Sequence, residues 1–171
     1  MKKLFVATAV AVAIIATATG LLYNKKPKDN ITSTQRAAAS SDIVSKAGIH
    51  WHPQLTIYIN GQKQEVPANI GIGKQYRNSK WYDPMMDMTD FHTHDNSGTL
   101  HWEVMDGPVT KDHVTLKAFF EVWGKTFTAN QIFDAKNGPD GTVKMTVNGQ
   151  PNTEFEDYQV KDKDKIEVRY E

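Results

Sequence analysis

Six histidines stand at positions 50, 52, 92, 94, 101 and 113, and four of them form two His-x-His pairs, His50-Trp51-His52 and His92-Thr93-His94. Residues i and i+2 of a β-strand point to the same face, so each pair can bring two imidazoles to one ion. His101 and Glu103 repeat that spacing in the next extended stretch. Neutral imidazole is the commonest protein ligand for zinc and copper, and three or four such groups complete a site. His50, His52, His92, His94 and His101 are therefore the expected metal ligands, with Glu103 as a candidate additional ligand or orienting group. Asp90 and Asp95 lie close enough in sequence to accept the second ring N–H of a ligand and fix its orientation. The competing reading, surface or hydrogen-bonded core histidines, prevails for a lone His and weakens for two pairs plus His101. His113 stands apart near a helix start, where an ordinary surface role is expected.

Three methionines precede the second pair, Met85, Met86 and Met88, in the run WYDPMMDMTDFHTH. Thioethers are soft ligands that select Cu(I), whereas imidazole accepts either copper state. Methionine also fills core gaps and packs on aromatic rings such as Trp81 and Tyr82. A segment that carries Asp83, Asp87 and Asp90 is a poor core segment, so the three are kept as candidate additional ligands. The expected cofactor is a copper or zinc ion.

Composition removes several alternatives. The chain has no cysteine among its 171 residues, which excludes disulfides, thiolate zinc sites, iron–sulfur clusters, a cysteine nucleophile and a lipidated cysteine. Of 20 basic and 20 acidic residues, six and two fall in residues 1–45, which leaves 14 and 18 in residues 46–171, a net charge of −4. A mildly acidic domain has no clustered basic face for phosphates, so no nucleic-acid partner is expected.

The elements that must position these groups are short. Leu55–Ile59 is β-branched and aromatic, and Asn60-Gly61 with the extended stretch Gln62–Pro67 makes it a hairpin, because a type I′ turn needs positive φ at both central residues. Residues 68–98 show no clean period and read as a long loop, which in a compact domain is usually functional. Thr99–Val104 reads as a strand. Asp112 or Thr110 can cap a helix over Val114–Trp123, in which Leu116, Phe119, Phe120 and Trp123 form one apolar stripe and Gly124 is the stop. Thr142–Val147, followed by Asn148-Gly149, and the alternating Lys165–Tyr170 complete the strands. The expected fold is α+β: one small domain, a mixed sheet with one packed helix, in a β-grasp-like order.

Ahead of that domain, Met1-Lys2-Lys3 precedes nineteen uncharged residues, Leu4 to Leu22. Two readings stay open: a signal peptide cleaved near Ala16-Thr17-Ala18, or a single-pass anchor, since about 20 apolar residues span a bilayer. Residues 24–45 are polar and rich in Ser, Thr, Ala and Lys, as in a flexible tether. The expected organisation is a leader over 1–23, a tether over 24–45 and a His-rich domain over 46–171. The domain is expected outside the cytoplasm, held at the cell membrane or secreted or periplasmic after cleavage.

Four segments, HPQLTIYINGQ at 52–62, VPANIGI at 66–72, HTHDNSGTLHWE at 92–103 and FFEVWG at 119–124, resemble a family of uncharacterised exported or membrane-anchored bacterial and archaeal proteins. Its pattern runs H-x-H, I-P-x-x-I-G-I, H-T-H-D-x-x-G-x-x-H-x-E, F-F-x-x-W-G. The resemblance covers residues 50 to 124 and implies a shared site on His50, His52, His92, His94 and His101, without implying a particular reaction. Family members often carry a Cys shortly before the His-Thr-His, where this chain has its methionines, so thiolate ligation does not carry over.

Three functions fit these readings. The first is a protein that stores, senses or delivers copper or zinc, with a protein partner in delivery. The second is a metal-dependent hydrolase or oxidase, which needs an open coordination position and a base such as Glu103 or Asp95. The third is a membrane-tethered interaction module. No His-Glu-x-x-His or Gly-x-Ser-x-Gly signature is present, which favours binding over catalysis.

Overall fold

The computed structural model describes residues 42–171. The expected leader, and the expected tether as far as Ser41, lie outside the described residues. Among the described residues no helix is long and apolar enough to cross a membrane.

The chain is mostly sheet with one α-helix, an α+β arrangement. Before the helix come strands β1 (Ile43–Ser45), β2 (Ile49–Trp51), β3 (Gln54–Ile59), β4 (Gln62–Gln64), β5 (Tyr82–Asp83), β6 (Met88–Thr89), β7 (Phe91–His92), β8 (His101–Val104) and β9 (Val109–Thr110). Helix α1 spans Leu116–Trp123. After it come β10 (Phe127–Thr128), β11 (Gln131–Ile132), β12 (Ala135–Lys136), β13 (Val143–Val147), β14 (Gln150–Pro151) and β15 (Lys165–Tyr170).

The largest sheet has five strands in the order β14-β13-β15-β3-β4, with β15 and β3 parallel at its centre and the other pairs antiparallel. Its two hairpins turn at Asn60-Gly61 and Asn148-Gly149, where all four residues have the positive φ of a type I′ turn (50° and 77°, 52° and 79°). Alternate residues, Leu55 and Ile57, Val143, Met145 and Val147, and Ile166 and Val168, are buried in the core with Leu116, Phe119 and Phe120 of α1. A parallel pair needs a crossover connection, and here it runs through the other sheets and α1.

Helix α1 begins at Leu116, the first residue of the apolar stripe and two residues later than the expected start at Val114. Lys111–Val114 forms a 3₁₀ turn, and Thr115 is the cap, its hydroxyl accepting from the Ala118 N–H at 3.3 Å. Thr115 is extended (φ −90°, ψ 149°) and so divides the two turns. Gly124, at φ 69°, closes the helix as expected.

Two further expectations give way. The single mixed sheet is joined by separate two- and three-stranded sheets. The long loop over 68–98 holds a 3₁₀ turn (Lys74–Tyr76), β5, β6 and β7. Strands of two residues are too short to show a period. Within the stretch read as tether, Ile43–Ser45 pairs with Val109–Thr110, so the folded part reaches back to β1.

Candidate metal centre

The three-stranded sheet β2-β8-β7 carries the site. Its antiparallel register sets His50 opposite Glu103 and His92 opposite His101, while Trp51 and Phe91 both stand opposite Trp102. Alternation sends these two sets to opposite faces. The aromatic face enters the core: Trp102 and Phe91 are fully buried, with ring centroids 5.3 Å apart, and Trp102 also packs on Phe119 at 6.0 Å. The other face is a cluster of imidazoles and one carboxylate. His52 follows β2 directly and His94 stands two residues beyond the end of β7, and their i, i+2 spacing keeps them with His50 and His92.

All five histidines read as ligands from the sequence meet here, with Glu103 among them. Ring centroids lie 4.6 Å apart for His50 and His52, 4.7 Å for His52 and His101, 4.5 Å for His94 and His101, 4.9 Å for His92 and His94, and 5.3 Å for His92 and His101. Two overlapping sets of four each bring one ligand atom per residue within 4.8 Å of the others: His50, His52, His101 and Glu103, and His92, His94, His101 and Glu103. These His/Glu groups are within metal-binding distance, and the donor set of nitrogen and oxygen is compatible with a metal ion.

His92 shows how the fold prepares a donor. Its side chain is 0% exposed, and its Nδ1 donates to the Thr89 carbonyl at 3.1 Å. A carbonyl only accepts, so Nδ1 carries the proton and Nε2 keeps its lone pair. That Nε2 has no hydrogen-bond partner among the described residues, a cost that few buried polar atoms carry without a reason. Burial pushes the His92 pKa down to about 4, outweighing the opposite pulls of the Thr89 carbonyl and Glu103. The ring is therefore neutral, the form that binds metal.

His101 Nδ1 is the other buried ring nitrogen without a hydrogen-bond partner among the described residues; it stands 3.6 Å from Glu103 Oε1, too far for a hydrogen bond. Burial, and then the neighbouring His94 and His52, hold its pKa below the usual imidazole range. Glu103 Oε1 approaches His50 Nε2 at 2.7 Å, and Glu103 Oε2 lies 4.0 Å from His92 Nε2.

A backbone clamp holds the second pair. Thr93, 0% exposed between the two histidines, donates its hydroxyl to the Pro67 carbonyl at 2.6 Å and accepts from the Ile70 N–H at 3.1 Å. The Thr93 N–H donates to the Ile70 carbonyl, and the Asn69 N–H donates to the Thr93 carbonyl. Gly71 continues the clamp at φ 77°, accepting from the Thr89 N–H at 2.8 Å. A Cβ there would collide with the Phe91 carbonyl oxygen and the Thr89 hydroxyl. The run VPANIGI is thus the brace of His92-Thr93-His94. The first pair is held at His52, whose N–H donates to Asp162 Oδ1 at 2.9 Å.

The remaining candidates lie elsewhere. Asp95 accepts from the Ser97 N–H at 2.9 Å in its own turn, and those contacts with Ser97 hold its pKa low. Asp90 Oδ2 lies 3.6 Å from His113 Nε2, and burial raises its pKa to about 6. Met85, 94% exposed, and Met86 line a groove with Asp83, Asp90, Val104, Met105 and Asp106, and none of the five clustered histidines lines it. Met88 sits in β6 opposite Asp83. His113 is not the exposed residue expected from the sequence: it is half-buried, its ring centroid 4.8 Å from that of Trp81 and its carbonyl accepting from Trp102 Nε1 at 2.8 Å. Sequence reasoning missed the Thr89 carbonyl, which has no side-chain signature, and Asp162, which is 110 residues from His52.

No family model, no curated protein and no solved structure matches the chain.

Proposed function

We propose that this chain is an extracytoplasmic metal-binding protein that handles copper or zinc, with His50, His52, His92, His94 and His101 as its nitrogen ligands and Glu103 as its carboxylate. The observation that carries this reading is His92. A fully buried imidazole has its tautomer fixed by a backbone carbonyl and its Nε2 left unpartnered, and it groups with His94, His101 and Glu103 within metal-binding distance. Export is supported by the hydrophobic run Leu4–Leu22, which suits either a single-pass anchor or a cleaved signal. Membership of the exported family with the H-T-H-D-x-x-G-x-x-H-x-E pattern is part of the same proposal, as is a β-grasp-like ancestry. The latter is supported by the order β4-β3-β15-β13-β14 with its central parallel pair.

A second reading, metal-dependent catalysis, is favoured by one observation: His50, His52 and His94 are exposed, so the cluster opens to solvent and has room for an exogenous ligand. In that case Glu103 serves as a ligand, and Asp95 is committed to its turn.

Elemental analysis of the purified full-length chain, with thermal unfolding before and after addition of zinc or copper, tests the proposal. At least one ion per chain and a rise in unfolding temperature are expected. Both are expected to disappear in the His92→Ala/His94→Ala double variant. Absence of metal and of any shift in the unsubstituted chain would refute metal binding.

A further inference from the structure

The cluster offers more donors than one ion requires. A tetrahedral site is complete with four protein ligands, and here six groups form two overlapping sets of four. The sets share His101 and Glu103, and each adds its own His-x-His pair. Glu103 is placed between them with its two oxygens divided: Oε1 lies 2.7 Å from His50 Nε2 and 3.6 Å from His101 Nδ1, whereas Oε2 is the oxygen nearer His92, 4.0 Å from Nε2. One oxygen per pair is the geometry of a bridging carboxylate.

We propose that the cluster is a dinuclear centre in which the Glu103 carboxylate bridges two divalent ions. This inference rests on the metal-binding reading above. His50, His52 and His101 with Oε1 hold the first ion, which four protein ligands then saturate. His92 and His94 with Oε2 hold the second, which has three protein ligands and keeps a position for a small exogenous ligand. Ions held in this way stand about 3.5–4 Å apart, the separation of two-metal sites in general. Charge points to the chemistry of the missing ligand. Neutral imidazoles and one carboxylate set a single negative charge against the four positive charges of two divalent ions. Excess positive charge of that size calls for an anion, so hydroxide or another small anion completes the second ion.

The register makes the assignment specific to side chains that can be removed without disturbing the core. His52 and His94 are both exposed, each belongs to only one set, and neither lies within a strand. Equilibrium dialysis of the metal-free full-length chain against Zn²⁺, read by elemental analysis, is expected to give two ions per chain. His52→Ala and His94→Ala are each expected to keep one ion and to weaken the other at least tenfold. Loading with two equivalents of Cu²⁺ is expected to give an electron paramagnetic resonance intensity less than half that of the copper content, because close, bridged Cu²⁺ ions couple their spins.

Saturation at one ion per chain, weakened alike by either variant, would overturn the dinuclear centre and leave metal binding standing. Two ions with full, uncoupled copper intensity would overturn the bridge, as would two ions retained in either single variant. No bound ion would overturn both this inference and the function it rests on.

Discussion

At the scale of single residues, the site is made by what surrounds each histidine rather than by histidine alone. His92 titrates near 4 because its ring is buried, whereas in the unfolded chain it titrates near the ordinary imidazole value of about 6.5. A folded-state pKa below the unfolded one means that the unfolded chain binds the proton first as pH falls. The stability tied to neutral His92 is therefore complete above about pH 6.5 and is lost as pH falls through about 4, on the order of 3 kcal/mol in all. His101 and His113 are shifted in the same direction. Asp90 opposes them: its raised pKa of about 6 means that ionising it in place costs stability as pH rises from about 4 to 6. Asp90→Asn is accordingly expected to stabilise the metal-free chain at pH 7 by on the order of 2 kcal/mol and to leave it unchanged at pH 4. Denaturant unfolding at the two pH values, with chelator present, reads this directly, and an equal gain at both would refute it. The clustering of the five histidines was legible in the sequence because i, i+2 spacing is a local signal. The role of the Thr89 carbonyl was not, because every residue has one.

At the scale of elements, the clamp over residues 67–71 predicts which substitutions reach the site from outside it. Thr93→Val keeps the shape of the side chain but removes the hydroxyl that joins Pro67 and Ile70, stranding a buried N–H. An unsatisfied buried donor costs about 1–3 kcal/mol, so this variant is expected to unfold at lower denaturant and to bind metal more weakly. Urea unfolding and zinc titration of the same sample check both effects. Gly71→Ala places a Cβ at a left-handed φ and against the strand that carries His92. It is expected to cost at least as much as Thr93→Val, whereas Gly61→Ala, also at positive φ but with open space around it, pays only the backbone strain. Comparison of the two glycine variants separates strain from collision. These elements also mark the limit of sequence reading. The Asn-Gly hairpins and the alternating β15 announce themselves through local chemistry. Residues 68–98 are ordered by hydrogen bonds to distant backbone, such as Asn69 to Thr93 and Gly73 to Asp87, and leave no period to detect. The helix start was misplaced because Asp112 and Thr110 are plausible caps, and only the extended backbone of Thr115 shows which turn continues.

At the scale of the molecule, the site draws on distant parts of the chain. The turn over Lys161–Asp164 sends Asp162 to the His52 N–H, while buried Asp164 holds that turn by accepting from Tyr158, Asn148 and the Lys161 N–H. On the proposed reading, ion binding would tie together β2, β7, β8 and the segment before β15, and would stabilise the folded chain by mass action. At free metal 100 times Kd the gain is about 2.7 kcal/mol, an increase in Tm on the order of 10 °C for a domain of this size. Calorimetry with and without chelator checks it. Asp164→Ala is expected to lower Tm in both states and to narrow the gap between them, because the turn that positions His52 is loosened.

The two-faced sheet has one more consequence. Trp102 lies in β8 between His101 and Glu103, opposite Trp51 and next to Phe91, so indole rings back directly onto the ligand strand. Whatever ion occupies the outer face changes the electric field and the energy-transfer paths felt by these fluorophores. If the proposed ion binds, these rings become an intrinsic optical gauge: a paramagnetic ion such as Cu²⁺ should quench the emission, and a closed-shell ion such as Zn²⁺ should shift it, with no label attached.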